Sequence, residues 1–264
     1  MGRLQLSDVA LEVRDEGRGT PALLLHGFPT SNRLWDGVIP HLCAAGFRCI
    51  APDLAGYGFS DAPSDGEPRM ERQARWLTEL LDAFQVDSVL LVAHDVGSAA
   101  AEILVAEAPH RVGALVIVDG VYAGEWAIEW VESIRQWDPR KPERLAPVLE
   151  RRLRGPTLPA DALHTMLASY EGNRGGLRLI EAARALQPSE TAARLDALRA
   201  ARVPALVLWG EQDRYLAIDS VARPLADLLR AELRLLPGGH FLPAEAPEAV
   251  AREIVAFAHA QRLV

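Results

Sequence analysis

The residues best suited to chemistry centre on Asp95, which follows the apolar run 89–93 and precedes a helical pattern. Small residues, Ala93 and Gly97, stand two positions to either side of it. A strained strand-to-helix turn that exposes a nucleophile needs small side chains at those two positions, because larger ones would collide. The spacing therefore predicts that Asp95 is a nucleophile on such a turn. The alternative is that Asp95 only caps the helix that follows.

A carboxylate nucleophile suits displacement of a leaving group from an sp³ carbon, since it needs no deprotonation near neutral pH. The product would be an alkyl ester of Asp95, which water activated by a histidine would cleave by attacking the carboxyl carbon. The backbone N–H of Val96, at the helix N-terminus, is expected to stabilise the resulting oxyanion. A second N–H is expected from Phe28, in the loop after an earlier buried strand.

Two further residues complete a catalytic arrangement later in the chain. Asp213 follows the apolar run 205–209, and His240 lies in a glycine turn after another such run. Because parallel strands end at one edge of a sheet, we expect both residues to lie near the nucleophile. Asp213 would orient the imidazole of His240 and stabilise its charged form. Glu211 and Asp119 are alternative acids.

The elements that must position these residues are strands buried on both faces, separated by helices. Alternation of this kind predicts an α/β fold with a mostly parallel, doubly wound sheet, preceded by an antiparallel hairpin at 4–6 and 10–13. The predicted parallel strands are 22–25, 48–51, 89–93, 114–118, 205–209 and 233–236. The predicted helices are 71–84, 98–108, 220–230 and 247–259.

One long interval lacks a strand pattern. We interpret residues 1–120 and 201–264 as the core domain and residues 121–200 as a helical cap inserted after the sixth strand. Such a cap would cover the edge of the sheet where open α/β sheets bind ligands. Four aromatic cap residues are candidates for substrate binding, with ordinary aromatic packing as the alternative: Tyr122, Trp126, Trp130 and Tyr170.

Composition narrows the function classes. A formal net charge of −8 argues against a nucleic-acid or anionic-membrane surface. No apolar run reaches the roughly 18 residues of a membrane helix, and no signal-peptide pattern is visible, so we expect a cytoplasmic protein. Cys43 and Cys49 are expected to be free thiols, and no His or Cys spacing suggests a metal. We therefore expect a small-molecule substrate, no cofactor and no metal. The sequence is also compatible with a homodimer.

The motifs at 26–29, 51–60 and 94–97 resemble those of the α/β-hydrolase superfamily, in the branch with an aspartate nucleophile. The resemblance covers nearly the whole chain apart from the cap, and it implies the α/β-hydrolase fold. That branch contains epoxide hydrolases, haloalkane dehalogenases and fluoroacetate dehalogenases. In its dehalogenases the position of Val96 usually carries Trp or Arg, that of Phe28 often Asn, and that of Ala99 Arg in the fluoroacetate enzymes. The resemblance is therefore nearest to epoxide hydrolases.

This resemblance implies hydrolysis of a small, neutral, apolar epoxide through an ester on Asp95. Epoxide hydrolases protonate the opening oxygen with two cap tyrosines, but the stretch 181–184 has no tyrosine where the second is usual. Tyr122 and Tyr170 are the tyrosines expected to serve instead. The alternatives are a haloalkane or haloacid dehalogenase with an atypical halide site, and a ligand receptor or non-hydrolytic biosynthetic enzyme on the same fold.

Overall fold

The computed structural model describes residues 2–65, 67–123, 126 and 128–264. Its centre is one sheet of eight strands. The strands are β1 (Gly2–Gln5), β2 (Ala10–Gly17), β3 (Thr20–Leu25), β4 (Phe47–Pro52), β5 (Val89–Asp95), β6 (Val112–Gly120), β7 (Ala205–Gly210) and β8 (Glu232–Leu236).

The strands are ordered β1-β2-β4-β3-β5-β6-β7-β8 across the sheet. β2 is antiparallel to both β1 and β4, and every other neighbouring pair is parallel. The predicted hairpin followed by a parallel, doubly wound sheet is therefore confirmed. Every residue of β5 is buried, as expected for a central strand covered on both faces.

Twelve α-helices surround the sheet in the described chain. They are α1 (Ile39–Ala44), α2 (Met70–Ala83), α3 (Val96–Glu107), α4 (Ile128–Arg135), α5 (Leu145–Leu153), α6 (Ala160–Leu167), α7 (Gly172–Ala185), α8 (Ser189–Ala192), α9 (Leu195–Ala201), α10 (Arg223–Leu229), α11 (Leu242–Glu245) and α12 (Pro247–Ala260). None of these described helices has the length and apolar character needed to cross a membrane.

Helix α3 begins directly at the end of β5 and is buried along most of its length. It packs against α2 on one side and α9 on the other, and it also contacts β5 and β6. Its run of small residues, from Gly97 to Ala101, allows these close approaches. The central strand and the helix after it are therefore held on all sides, which fixes the turn between them.

The long interval between β6 and β7 holds helices α4 to α9 and no strand among its described residues. Helix α4 packs on α7, and α6 packs on the 3-10 turn Asn32–Trp35, which lies between β3 and α1. Helix α9, by contrast, packs against α3 beside the sheet.

The predicted helix 220–230 forms in two parts, a π-helical turn Ile218–Ala222 and then α10. Pro224 lies in the first turn of α10 and has no N–H to donate to a carbonyl in the preceding turn. A continuous α-helical ladder is therefore interrupted at this point.

Candidate active site

Asp95 lies at the junction of β5 and α3 with φ 49° and ψ −131°, a backbone conformation that L-residues rarely adopt. Gly97 passes so close to the chain that a Cβ there would lie 2.3 Å from the carbonyl oxygen of His26. The small residue that the motif predicted at 97 is therefore sterically required. Strain of this kind persists only where the surrounding structure fixes it, and it is common at functional sites.

The Asp95 carboxylate is held by backbone donors on one side and an imidazole on the other. Its Oδ1 accepts a hydrogen bond from the N–H of Phe28 at 2.8 Å, and the adjacent N–H of Val96 helps to lower its pKa. Its Oδ2 lies 3.5 Å from Nε2 of His240. The structure thus brings both predicted oxyanion donors, Phe28 and Val96, to the predicted nucleophile.

His240 is oriented from its other nitrogen by Asp213. Its Nδ1 lies 2.9 Å from Oδ2 of Asp213, whose side chain is fully buried. The second carboxylate oxygen, Oδ1, accepts hydrogen bonds from the N–H groups of Tyr215 at 2.8 Å and Leu216 at 3.0 Å. The backbone of the following residues therefore holds the Asp213 carboxylate in place, and this carboxylate in its turn orients the imidazole of His240.

The surroundings of Asp95 and His240 shift the pKa values of these two groups in opposite directions. Burial would raise the pKa of Asp95, but the hydrogen bond and positive charge of His240, with the N–H of Val96, outweigh it and hold the pKa below its usual value. Burial would lower the pKa of His240, but the two carboxylates, first Asp213 and then Asp95, raise it well above its usual value. Both shifts favour the charged forms, an Asp95 carboxylate and a His240 imidazolium.

The two alternative acids do not hydrogen-bond His240. Asp119 is fully buried at the end of β6, where its Oδ1 accepts a hydrogen bond from the N–H of Gly210 at 2.7 Å. Its Oδ2 has no hydrogen-bond partner among the described residues. Burial, reinforced by the charge of Asp213, raises the pKa of Asp119 well above its usual value, which favours the neutral acid. Glu211 is exposed, and of the three candidate acids only Asp213 hydrogen-bonds His240.

Two other histidines support the site through backbone contacts. Nδ1 of His26 lies 2.8 Å from the carbonyl oxygen of Gly27, and its Nε2 accepts a hydrogen bond from Leu54 N–H at 3.0 Å. His94, to which the sequence analysis assigned no role, places Nε2 2.7 Å from the carbonyl oxygen of His240. Burial lowers the pKa of both His26 and His94 to about 4, so both rings are neutral at pH 7.

A small cavity of about 20 Å³ opens onto Asp95 and His240. Its walls are otherwise almost entirely apolar, and they include Phe28, Val96, Val121, Val131, Leu153 and Phe241. Trp126 and Trp130, two of the predicted binding residues, also line it. The indole N–H of Trp126 donates to the carbonyl oxygen of Ala123, whereas that of Trp130 has no hydrogen-bond partner among the described residues.

The two predicted tyrosines do not line this cavity. Tyr170 is fully buried, and its hydroxyl donates to the carbonyl oxygen of Thr30 at 3.2 Å and accepts from Gly58 N–H at 3.4 Å. It therefore ties the helical segment to two loops of the sheet domain. Tyr122 is half-buried and packs against the core.

Tyr215 lines the cavity instead, although the sequence analysis did not single it out. Its ring meets that of His240 edge-on with the centroids 5.2 Å apart, and it lies 6.3 Å from the ring of Trp130. Its hydroxyl accepts a hydrogen bond from Arg214 at 3.1 Å. Among the described lining residues it carries the only hydroxyl group. Its place two residues after Asp213, whose turn it closes, was the available signal.

The described residues contain no group of three or more His, Cys, Asp or Glu side chains arranged to hold a metal ion. Cys43 and Cys49 are both free thiols in the structure.

Comparison with known proteins gives consistent relationships. The profile of the alpha/beta hydrolase fold family matches residues 20–174. A haloalkane dehalogenase of Mesorhizobium japonicum is 29% identical over 97% of this chain and 90% of its own length. An epoxide hydrolase of Caballeronia sordidicola is 38% identical over a shorter match, 34% of this chain and 28% of that protein. The solved structure of a haloalkane dehalogenase from Bradyrhizobium elkani has a TM-score of 0.84 at 26% identity, covering 99% of this chain and 98% of that one.

Proposed function

We propose that this chain, which belongs to the α/β-hydrolase fold family, opens small, neutral, apolar epoxides by attack of Asp95 on carbon. One arrangement carries the proposal: a carboxylate, and not a hydroxyl, stands on the strained turn between the backbone N–H of Phe28 and an oriented imidazole. The similarity to an epoxide hydrolase and to haloalkane dehalogenases supports attack at carbon as the reaction type.

The first half-reaction forms an ester on the enzyme. One oxygen of the Asp95 carboxylate attacks a ring carbon, the carbon–oxygen bond of the epoxide breaks, and the released alkoxide takes the proton of the Tyr215 hydroxyl. Both side chains line the cavity, and solvent carries a proton from the imidazolium of His240 to the phenolate. This transfer leaves His240 neutral.

The second half-reaction releases the diol. Esterification removes the Asp95 charge, one of the two that raise the pKa of His240, and the neutral imidazole then takes a proton from water. The hydroxide attacks the carboxyl carbon of Asp95, and the N–H groups of Phe28 and Val96 stabilise the oxyanion. Collapse expels the diol alkoxide, which His240 protonates. The carboxylic acid of Asp95 then protonates His240, which restores the resting charges.

The wall residues set the substrate's polarity. The side chains beside the nucleophile, Phe28 and Val96, have no polar atom, and no arginine or lysine is among the described residues that line the cavity. A carboxylated substrate would therefore lose hydration without gaining a partner, which carries a large cost. Neutral alkyl and aryl epoxides match these walls.

Entry of a substrate requires the helical segment to move. A cavity of about 20 Å³ has room for about one water molecule and for no organic epoxide. Trp130 and Val131 on α4, with Leu153 on α5, form one side of it. We therefore propose residues 121–200 as a cap domain that opens and closes over the site.

A haloalkane is the second candidate substrate, and Trp130 is the observation that favours it. A departing halide needs hydrogen-bond donors but no proton, and Trp130, which lines the cavity, has an indole N–H without a hydrogen-bond partner among the described residues. The long match to a haloalkane dehalogenase points the same way. A neutral His240 would then have to arise by loss of its proton to solvent.

Intact-protein mass spectrometry of a His240→Gln variant separates these possibilities. Incubated with styrene oxide, it should gain the whole epoxide mass on Asp95, because the displaced ring oxygen stays attached to the substrate and hydrolysis is blocked. Incubated with 1-bromobutane, a dehalogenase would instead gain a butyl group and release bromide. His259→Gln, a change at an exposed histidine of α12, should turn over styrene oxide normally and keep no adduct. An adduct from bromobutane alone, or from neither compound, would refute the epoxide proposal.

A further inference from the structure

A second pocket lies at the opposite end of the sheet from Asp95. It has a volume of about 180 Å³, between the end of α9, the start of β7 and the end of α10. The floor is hydrophobic and includes Leu115, Leu198, Val203 and Leu228. The catalytic residues follow the carboxyl ends of the strands, whereas this pocket opens where β7 begins, so the two sites are separate.

Three arginines surround this apolar floor: Arg199 on α9, Arg202 directly after α9, and Arg230 directly after α10. All three are exposed, and none forms an ion pair or side-chain hydrogen bond with a described residue. Most arginines of the chain do pair with a carboxylate. No described acidic residue lines the pocket.

Helix dipoles do not account for three cations here. The carboxyl ends of α9 and α10 each contribute at most about half a negative charge, and less for helices of two turns. Three guanidinium groups therefore leave about two positive charges that the helix dipoles do not offset. The whole chain has a net charge of −8, so the positive charge at this pocket is local and does not follow from the overall composition.

We propose that this pocket binds an amphiphilic organic anion, a carboxylate attached to a short hydrocarbon or aryl body. Guanidinium groups bind carboxylates through paired, charge-assisted hydrogen bonds. The floor of leucine and valine side chains would cover the apolar body, a contact that a bare inorganic anion cannot make. The exposed arginines supply the charge recognition, and the hydrophobic floor supplies the preference for an attached chain.

Isothermal titration calorimetry with octanoate tests this site without relying on catalysis. The native protein should bind octanoate more tightly than acetate or phosphate, which lack the hydrocarbon, and more tightly than octan-1-ol, which lacks the charge. The triple variant Arg199→Gln, Arg202→Gln, Arg230→Gln should bind octanoate at least about tenfold more weakly, because it loses every charge-assisted hydrogen bond of the pocket.

The matched control changes three other exposed arginines that have no ion pair with a described residue, Arg18→Gln, Arg151→Gln and Arg262→Gln. It has the same net charge as the pocket variant, and it should keep native affinity for octanoate. Equal loss in both variants would show a general charge effect, and no loss in the pocket variant would place octanoate elsewhere. Phosphate binding as tightly as octanoate would show that the hydrophobic floor is not used. Any of these three results overturns the proposal.

Discussion

Gly27 is packed against the proposed nucleophile, and adding one methyl group there should disable it. A Cβ at residue 27 would lie 2.4 Å from Cβ of Asp95 and 2.5 Å from its Oδ1, where ordinary contacts are 3.4–4 Å. Gly27 is outside the left-handed backbone region, so alanine is conformationally acceptable and the clash is the whole effect. Relief requires Asp95 to move by about 1 Å, a misplacement that typically costs about a hundredfold in rate.

A hundredfold loss corresponds to about 2.7 kcal/mol in the activation free energy. Gly27→Ala should therefore lower kcat for styrene oxide about a hundredfold, and rapid-quench mass spectrometry should show slower ester formation. Overpacking should also lower the free energy of unfolding by about 1–3 kcal/mol, measured by urea denaturation. Gly113→Ala is the matched control, because its added Cβ meets nothing nearer than 3.4 Å. A Gly27→Ala enzyme that is folded and keeps native ester formation would refute this placement of Asp95.

Three further predictions follow from the contacts of the site. Tyr215→Phe should slow ester formation from styrene oxide at least tenfold while leaving hydrolysis of a preformed ester nearly native; equal slowing of both steps would contradict its role as proton donor. Asp213→Asn should bring the pKa of His240 down, read by NMR titration, and reduce turnover more than Asp119→Asn does; the reverse order would make Asp119 the working acid. Burial lowers the pKa of His26 to about 4, below its value of about 6.5 in the unfolded chain. The unfolded state therefore binds more protons between these two pH values, and the free energy of unfolding decreases as the pH falls through that range. In urea unfolding, His26→Gln should remove about 3 kcal/mol of this pH dependence. A variant whose free energy of unfolding falls as steeply from pH 7 to 4.5 as that of the native protein would contradict the prediction.

The sheet was predictable because its strands are apolar on both faces, but their ends were not. The apolar run 89–93 indicated a strand, whereas β5 continues through His94 and Asp95, which are polar and yet buried. Pairing with β6 and helix packing hold these two residues, and no local pattern reports either contact. The same limit applies to the helix start, which the structure places at Val96.

The proposed catalytic residues could be found from sequence because each follows a strand. The cavity walls could not, since they depend on how the helical segment folds over the sheet. Tyr170 was a reasonable candidate by residue type, but its hydroxyl is used in contacts with Thr30 and Gly58, far away in the chain. Tyr215 reaches the cavity because its N–H donates to the Asp213 carboxylate in a tight turn. The turn could be recognised from the sequence, but the direction in which it points the Tyr215 side chain could not.

Isotope placement in a single turnover tests the carboxylate-nucleophile mechanism most directly. The native enzyme, in excess over styrene oxide in ¹⁸O-labelled water, should incorporate the label into the Asp95 carboxylate, because water attacks the carboxyl carbon of the ester. The first diol released should carry an unlabelled oxygen from the old carboxylate. Label in the first diol with none in the peptide containing Asp95 would show direct attack of water on the substrate, and it would contradict the account.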